Sequence, residues 1–224
     1  MPELTSQLPQ AIFFDLDGTL LDSLPGIAFS IEKAFESCGL PMRSIELREV
    51  IGPPIRTILS LATTIASESN LDQLERAFRI SYDSDGWQKT QLFPDSSAML
   101  QDAHALGIQL FVVSNKPRHI AVKILEREGI LSRFKAIFTR DSNDPPYLGK
   151  AEMIDGILNE FHLEADRCIM VGDTTEDAHA AGEMRVPFAW ISHGYGDPPS
   201  SHAVSFRVNS FAEFLPMLTK ESVQ

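Results

Sequence analysis

Five short apolar runs, most of them unbroken and each followed by a polar or turn-forming cluster, constrain this chain more than any other feature. They are Ala11 to Phe14, Gln109 to Val113, Ala136 to Phe138, Cys168 to Val171 and Phe188 to Ile191. A strand with one wet face alternates apolar and polar residues, whereas unbroken runs suit parallel strands covered on both faces. Segments of helical period lie between the runs. Met99, Leu100, Ala103 and Leu106 make a stripe closed by Gly107, and Ile120, Ile124 and Leu125 make another closed by Gly129. Met153, Ile154, Ile157, Leu158 and Phe161 form a third. Strands alternating with such helices predict an α/β fold, a Rossmann-like doubly wound parallel sheet.

The alternation stops between Asp22 and about Trp87, where only helical patterns appear. Ser23 can cap a helix with Pro25 in its first turn, and Ile27, Ile31, Ala34, Phe35 and Cys38 make its apolar stripe, ended by Gly39. Ile55, Ile58, Leu59 and Ala62 continue the theme, as do Leu71, Leu74, Ala77 and Phe78. The expected organisation is a core from residues 1–21 and 90–224 with a helical cap from residues 22–89. An insertion there lies over the carboxyl ends of the strands, where open α/β sheets bind ligands.

Charge narrows the partners. With 19 Lys+Arg against 31 Asp+Glu, the formal net charge is −12, which disfavours nucleic acid and anionic membrane surfaces. Cys38 and Cys168 have no metal-ligand spacing and read as core residues of a reducing compartment. Met1 to Gln10 carries no secretory signal pattern, and no run reaches the ~18 apolar residues of a membrane span. A cytoplasmic protein, monomer or homodimer, is expected.

Three of the runs end in turns suited to chemistry. Asp15-Leu16-Asp17-Gly18-Thr19 follows the first, with two carboxylates two residues apart and a glycine that lets the backbone approach a ligand; an Asp-Gly surface turn looks the same. Gly172-Asp173-Thr174-Thr175-Glu176-Asp177 follows the fourth, and Asp173 and Asp177 could share one side of a first helical turn, as plain capping residues also do. Ser114-Asn115 ends the second, before a helix that Pro117 opens; a hydroxyl, an amide and free N–H groups suit a phosphate oxygen. Lys150 stands at the start of a predicted helix, where a cation opposes the helix dipole. Co-occurrence decides the matter. In a parallel sheet these turns share one edge, and carboxylates ~4 Å apart repel by about 4 kcal/mol per pair at an effective dielectric near 20. Such a cluster requires a divalent cation and an ammonium. Oxygen-only ligands beside phosphate chemistry point to Mg²⁺.

These motifs, in this order and on these strands, resemble the haloacid dehalogenase superfamily of phosphohydrolases over nearly the whole chain. Asp15 to Leu20 resembles motif one, Ser114 motif two, Lys150 motif three and Gly172 to Asp177 motif four, and the helical segment resembles the family's type-one (C1) cap. Ile51-Gly52-Pro53-Pro54-Ile55, Ser114-Asn115-Lys116, His193-Gly194-Tyr195-Gly196 and Asn209 to Phe214 resemble the phosphoglycolate phosphatase branch. The resemblance implies a Mg²⁺-dependent phosphatase acting on a small phosphorylated metabolite. Asp15 would attack phosphorus, and Asp17 would protonate the leaving alcohol and then activate water. The Asp15 carboxylate, the Asp17 carbonyl and Asp173 would hold the metal, with Asp177 reaching it through water or orienting Lys150. Ser114, Lys150 and the Gly18 and Thr19 amides would hold the phosphoryl oxygens. The sequence departs from that branch at Gly149-Lys150-Ala151-Glu152, where a Lys-Pro-X-Pro turn is common.

Alternatives remain at this stage: a sugar phosphomutase, which also keeps the second aspartate, and a non-catalytic binding module on the same fold. Arg56 is expected to meet the far end of an anionic substrate, with Lys116 and Asn115 as further phosphate-side candidates. His119 and His193 are given no role.

Overall fold

The computed structural model describes residues 8–65 and 67–220; the reading of Met1 to Gln10 therefore falls, for residues 1–7, outside the described residues. The chain opens on β1 (Ala11–Phe14), pairs β2 (Leu21–Asp22) antiparallel with a later β3 (Gln91–Leu92), and between these two runs through α1 (Leu24–Cys38), α2 (Leu47–Val50), α3 (Ile55–Leu61) and α4 (Glu68–Ser84). Then follow α5 (Ser96–Ala105), β4 (Gln109–Ser114), α6 (Arg118–Arg127), β5 (Ala136–Thr139) and α7 (Lys150–Glu160). The chain ends with β6 (Cys168–Gly172), α8 (Thr175–Glu183), β7 (Phe188–Ile191), β8 (Phe206–Val208) and α9 (Phe211–Lys220). No helix among the described residues is long and apolar enough to cross a membrane.

Six strands form one parallel sheet in the order β5-β4-β1-β6-β7-β8. Its doubly wound character is visible in β1 itself. Ile12 and Phe14 enter one apolar cluster with Met99, Leu100, Ile120 and Phe214, while Ala11 and Phe13 enter the other with Met153, Ile157 and Ala181. Both faces are covered, which is why the runs are unbroken in sequence. Each large side chain buried this way contributes roughly 1.5–3 kcal/mol. Cys168 is one such core residue, its thiol pushed up to about 12 chiefly by burial; Cys38 is only partly buried.

The helical insertion joins the first of these clusters through Ile31, Phe35, Leu74 and Phe78, so its packing is continuous with that face of the sheet. Gly39 ends α1 in the left-handed region at φ 64°, a conformation that costs glycine nothing sterically. Ser23 occupies the N-cap position of α1, but its hydroxyl makes no capping bond. The Ser23 and Leu24 N–H groups instead donate to the Tyr195 hydroxyl at 2.8 and 3.0 Å. The expected helix start is correct, and its capping group comes from 172 residues away.

β1 sits between β4 and β6, with Phe14 in register with Val112 on one side and Val171 on the other. The strands that follow β1 lie on both of its sides, β4 and β5 on one and β6, β7 and β8 on the other. This is the switch point at which open sheets leave a crevice, and Asp15, Ser114 and Asp173 are the residues that border it.

Candidate active site

Asp15, Asp173 and Asp177 each offer one carboxylate oxygen to a cluster whose members all lie within 4.8 Å of one another, and all three residues are buried. Asp15 leaves the end of β1 with its N–H bonded to the Val171 carbonyl at 3.0 Å. Burial first, and then the charges of Asp177, Asp173 and Asp17, hold its carboxyl well above the usual range, against the pull of Lys150. Asp173 is pushed up to about 6, again chiefly by burial. It is gripped from two sides. The Thr19 hydroxyl donates to its Oδ1 at 3.0 Å, and the Tyr195 and Gly196 N–H groups donate to Oδ2 at 2.8 and 3.3 Å. That grip needs bare backbone at Gly18, where a Cβ would stand 2.3 Å from Asp173 Oδ2 and where φ is 87°. An oxygen-only donor set of three buried carboxylates facing one ammonium fits a hard divalent cation.

Lys150 is the ammonium. As the first residue of α7 it lies buried between Asp15 Oδ1 at 3.0 Å and Asp177 Oδ1 at 2.6 Å. Burial opposes its charge, yet Asp15, Asp177 and Glu176 together hold it above the ordinary lysine range. The anomalous placement of a cation at a helix start is thus explained by two carboxylates. Asp177 serves two ends: Oδ1 accepts from Lys150, and Oδ2 accepts from the Thr174 N–H and hydroxyl in a capping box at the start of α8. The capping reading and the site reading of this motif both hold. Asp177 contacts Lys150 and also belongs to the carboxylate cluster, so both roles expected of it stay open.

Several sequence expectations are revised. The Asp17 carboxylate, expected as acid and base while the Asp17 carbonyl meets the metal, lines the cavity and turns to Lys116, whose Nζ lies 2.8 Å from Oδ1 and hydrogen-bonds Oδ2 at 3.0 Å. Lys116 also donates to the Tyr82 hydroxyl of α4 at 2.9 Å and is buried. Burial alone would lower its pKa, but Asp17 and Tyr82 raise it overall. The Gly18 and Thr19 amides close the turn, donating to the Leu21 and Leu16 carbonyls at 2.9 and 3.1 Å, so they are not available to a phosphoryl group; Thr19 contributes its hydroxyl to Asp173 instead. Asn115 spans to Glu176, its amide donating to both carboxylate oxygens at 2.9 and 3.1 Å. Ser114 is buried at the site, its hydroxyl accepting from the Lys116 N–H at 3.3 Å. Arg56 is engaged away from the cavity in this structure. It points into an ion-pair group with Glu68, Asp72 and Glu75 on α4, at 2.6, 2.7 and 3.3 Å, and does not line the cavity.

That cavity, about 430 Å³, lies between the strand ends and the insertion. Asp15, Asp17, Ser114 and Lys150 line its core side, and Ile51, Ile55 and Phe78 its other side. Sequence reasoning missed two participants. Tyr82 carries no motif, and its only signal is the four-residue step from Phe78 along the buried face of α4. Tyr195 stands in a stretch noted only for its likeness to a branch of phosphatases. Its hydroxyl also donates to Asp22 at 2.7 Å, so one residue ties the start of the insertion to the carboxylate of Asp173. His193, left without a role, lies 3.0 Å from the Thr19 carbonyl through Nε2.

A family model described as haloacid dehalogenase-like hydrolase matches residues 12–191. A phosphoglycolate phosphatase of Vibrio parahaemolyticus is 30% identical, over 96% of this chain and 98% of its own length. Tyrosine-protein kinase PtkA of Mycobacterium tuberculosis is also 30% identical, over 84% of this chain and 64% of that protein. Among solved structures, a haloacid dehalogenase-like family hydrolase from Streptococcus pneumoniae superposes with a TM-score of 0.82 at 26% identity, covering 94% of this chain and 98% of the other.

Proposed function

The chain belongs to the haloacid dehalogenase-like hydrolase family, and we propose that it is a Mg²⁺-dependent phosphatase that hydrolyses a small phosphomonoester through a phosphoaspartate at Asp15. The observation that carries this reading is the gathering of Asp15, Asp173, Asp177 and Lys150 at one strand edge, beneath a cavity of metabolite size.

An Asp15 oxygen attacks phosphorus as the bond to the leaving alcohol breaks, and Asp17 gives that alcohol its proton. Water then attacks phosphorus, Asp17 takes its proton, and the bond from Asp15 to phosphorus breaks to release phosphate. Lys116, 2.8 Å from Asp17 Oδ1, orients that carboxylate at the cavity. Lys150, fixed by Asp177, neutralises charge on the phosphoryl oxygens, and Ser114 borders them. Asp15, the Asp17 carbonyl and Asp173 would hold the metal. When bound, Mg²⁺ offsets the repulsion among the carboxylates and between them and the phosphate. The helical insertion acts as a cap that closes this chemistry from water. Two unpaired cysteines support a reducing, cytoplasmic setting.

The test is phosphate release from p-nitrophenyl phosphate with and without Mg²⁺, with Asp15→Asn as the blank. Metal-dependent release lost in the variant supports the reading; release that persists in the variant overturns it. Adding a hexose 1-phosphate and looking for its 6-phosphate separates phosphatase from mutase. Adding a tyrosine peptide with ATP and looking for phosphotyrosine addresses the chemistry named for PtkA.

A further inference from the structure

The substrate end of the cavity, beyond the phosphate-side residues, differs in character from the catalytic edge. Its wall on the insertion is apolar: Ile27, Ile51, Ile55, Ile58 and Phe78 face it, with Pro53 and Pro54 in the turn between. The charged groups that reach it carry a surplus of acid. Glu75, Asp83, Asp141 and Glu176 line it against the two guanidiniums of Arg79 and Arg140.

Three of the basic groups are engaged by acids or by Tyr82. Arg79 holds Glu75 at 2.7 Å, His119 stands 3.1 Å from Asp83, and Lys116 is fixed between Asp17 and Tyr82. Arg140 is exposed, with its Nε donating to the Tyr147 carbonyl at 3.3 Å, and its neighbour Asp141 lines the same cavity. Arg56, the insertion's other cation near the Gly-Pro-Pro turn, is drawn away by three carboxylates of α4. A second anionic group on the substrate would meet apolar side chains and the carboxylates of Asp141 and Glu176. These accept hydrogen bonds from the Arg118 N–H, the Thr139 hydroxyl and the Asn115 amide, and pair with no cation among the described residues. Like charges brought together at a binding surface cost affinity.

We infer that the ester hydrolysed here has an uncharged leaving group with an apolar body, and that the site discriminates against leaving groups bearing a carboxylate, glycolate among them. This rests on the phosphatase reading above and narrows its substrate class. The site thereby parts from the substrate named for its Vibrio parahaemolyticus relative while sharing the fold and family.

The experiment compares kcat/KM, with Mg²⁺, for three esters: 2-phosphoglycolate; 2-hydroxyethyl phosphate, which has the same heavy-atom skeleton apart from the carboxylate oxygen; and cyclohexyl phosphate. The expected order is cyclohexyl, then hydroxyethyl, then phosphoglycolate, with the last at least about tenfold below the hydroxyethyl ester, the size of a like-charge penalty of about 1.4 kcal/mol. Ile55→Arg, which sets a cation on the partly buried rim of the apolar wall, is expected to raise phosphoglycolate relative to hydroxyethyl phosphate. Phosphoglycolate equal to or better than its neutral counterpart in the wild-type protein overturns the inference and leaves the phosphatase reading standing. Release from none of the three while p-nitrophenyl phosphate is still hydrolysed overturns the inference alone; no release from p-nitrophenyl phosphate either overturns both.

Discussion

At Gly194 an added methyl group would land 2.1 Å from Asp173 Cβ, an atom that can give way only if the Asp173 backbone shifts. Overpacking of this kind costs about 1–3 kcal/mol. We expect Gly194→Ala to lower stability by that order in urea unfolding and to weaken Mg²⁺ binding by calorimetry, because Asp173 must move away from the Tyr195 and Gly196 amides. Lys150→Ala is expected to reduce kcat by about 10²–10³, as does loss of one preorganised charge-stabilising group elsewhere, with KM changing much less. Arg56→Ala is expected to leave KM unchanged for the best substrate. Its three partners are all on α4, and two of them, Glu68 and Asp72, are more than half exposed, so solvent screens the group. The partners of Arg56 lie 12 to 19 residues along the chain. A sequence shows that a cation is present near a turn but not which of several helix-face acids will claim it, so Arg56 was legible as a charge and not as a contact. Lys150 was legible because its placement is locally unfavourable, which calls for a specific partner.

At the scale of elements, burial on both sides is what made the strands legible. β1 and β7 appear with the boundaries their apolar runs imply, and β4, β5 and β6 extend one residue further, to Ser114, Thr139 and Gly172. β8 was not legible. It has three residues, Phe206 and Val208 inward and Arg207 outward, too few for a period to register. β2 and β3, two residues each, exist only because the chain leaves and re-enters the sheet side by side. The link from the insertion to Asp173 was hidden for another reason: Tyr195 reaches Asp22, Ser23 and Leu24 across more than 170 positions. Tyr195→Phe keeps the ring and the N–H that holds Asp173 but removes the hydroxyl. We expect faster hydrogen exchange at the Ser23 and Leu24 amides and a raised KM, with Mg²⁺ affinity retained; unchanged exchange there would show that this hydroxyl does not anchor the insertion.

For the whole molecule, the carboxylate cluster makes stability depend on pH and metal together. Asp173, pushed up to about 6 by burial and by Asp177, has an ordinary value near 4 in the unfolded chain. Between those values the folded state binds more protons, so this contribution to stability falls as pH rises through that window. Asp15 is shifted in the same direction. In metal-free protein at pH 7.5, Asp173→Asn is therefore expected to be more stable than wild type by on the order of 2 kcal/mol. That advantage should vanish near pH 4 and reverse when Mg²⁺ is added, since binding to the folded state alone stabilises it. Urea unfolding at the two pH values, with and without Mg²⁺, reads all of these.

The most direct measurement is chemical trapping of the reaction: Mg²⁺-loaded protein is mixed with p-nitrophenyl phosphate, quenched in acid within milliseconds, digested and weighed. One phosphoryl group is expected on the peptide containing Asp15, absent when Mg²⁺ is omitted. Turnover with that peptide unmodified at every quench time, or with the phosphoryl group on another residue, would contradict a nucleophilic Asp15.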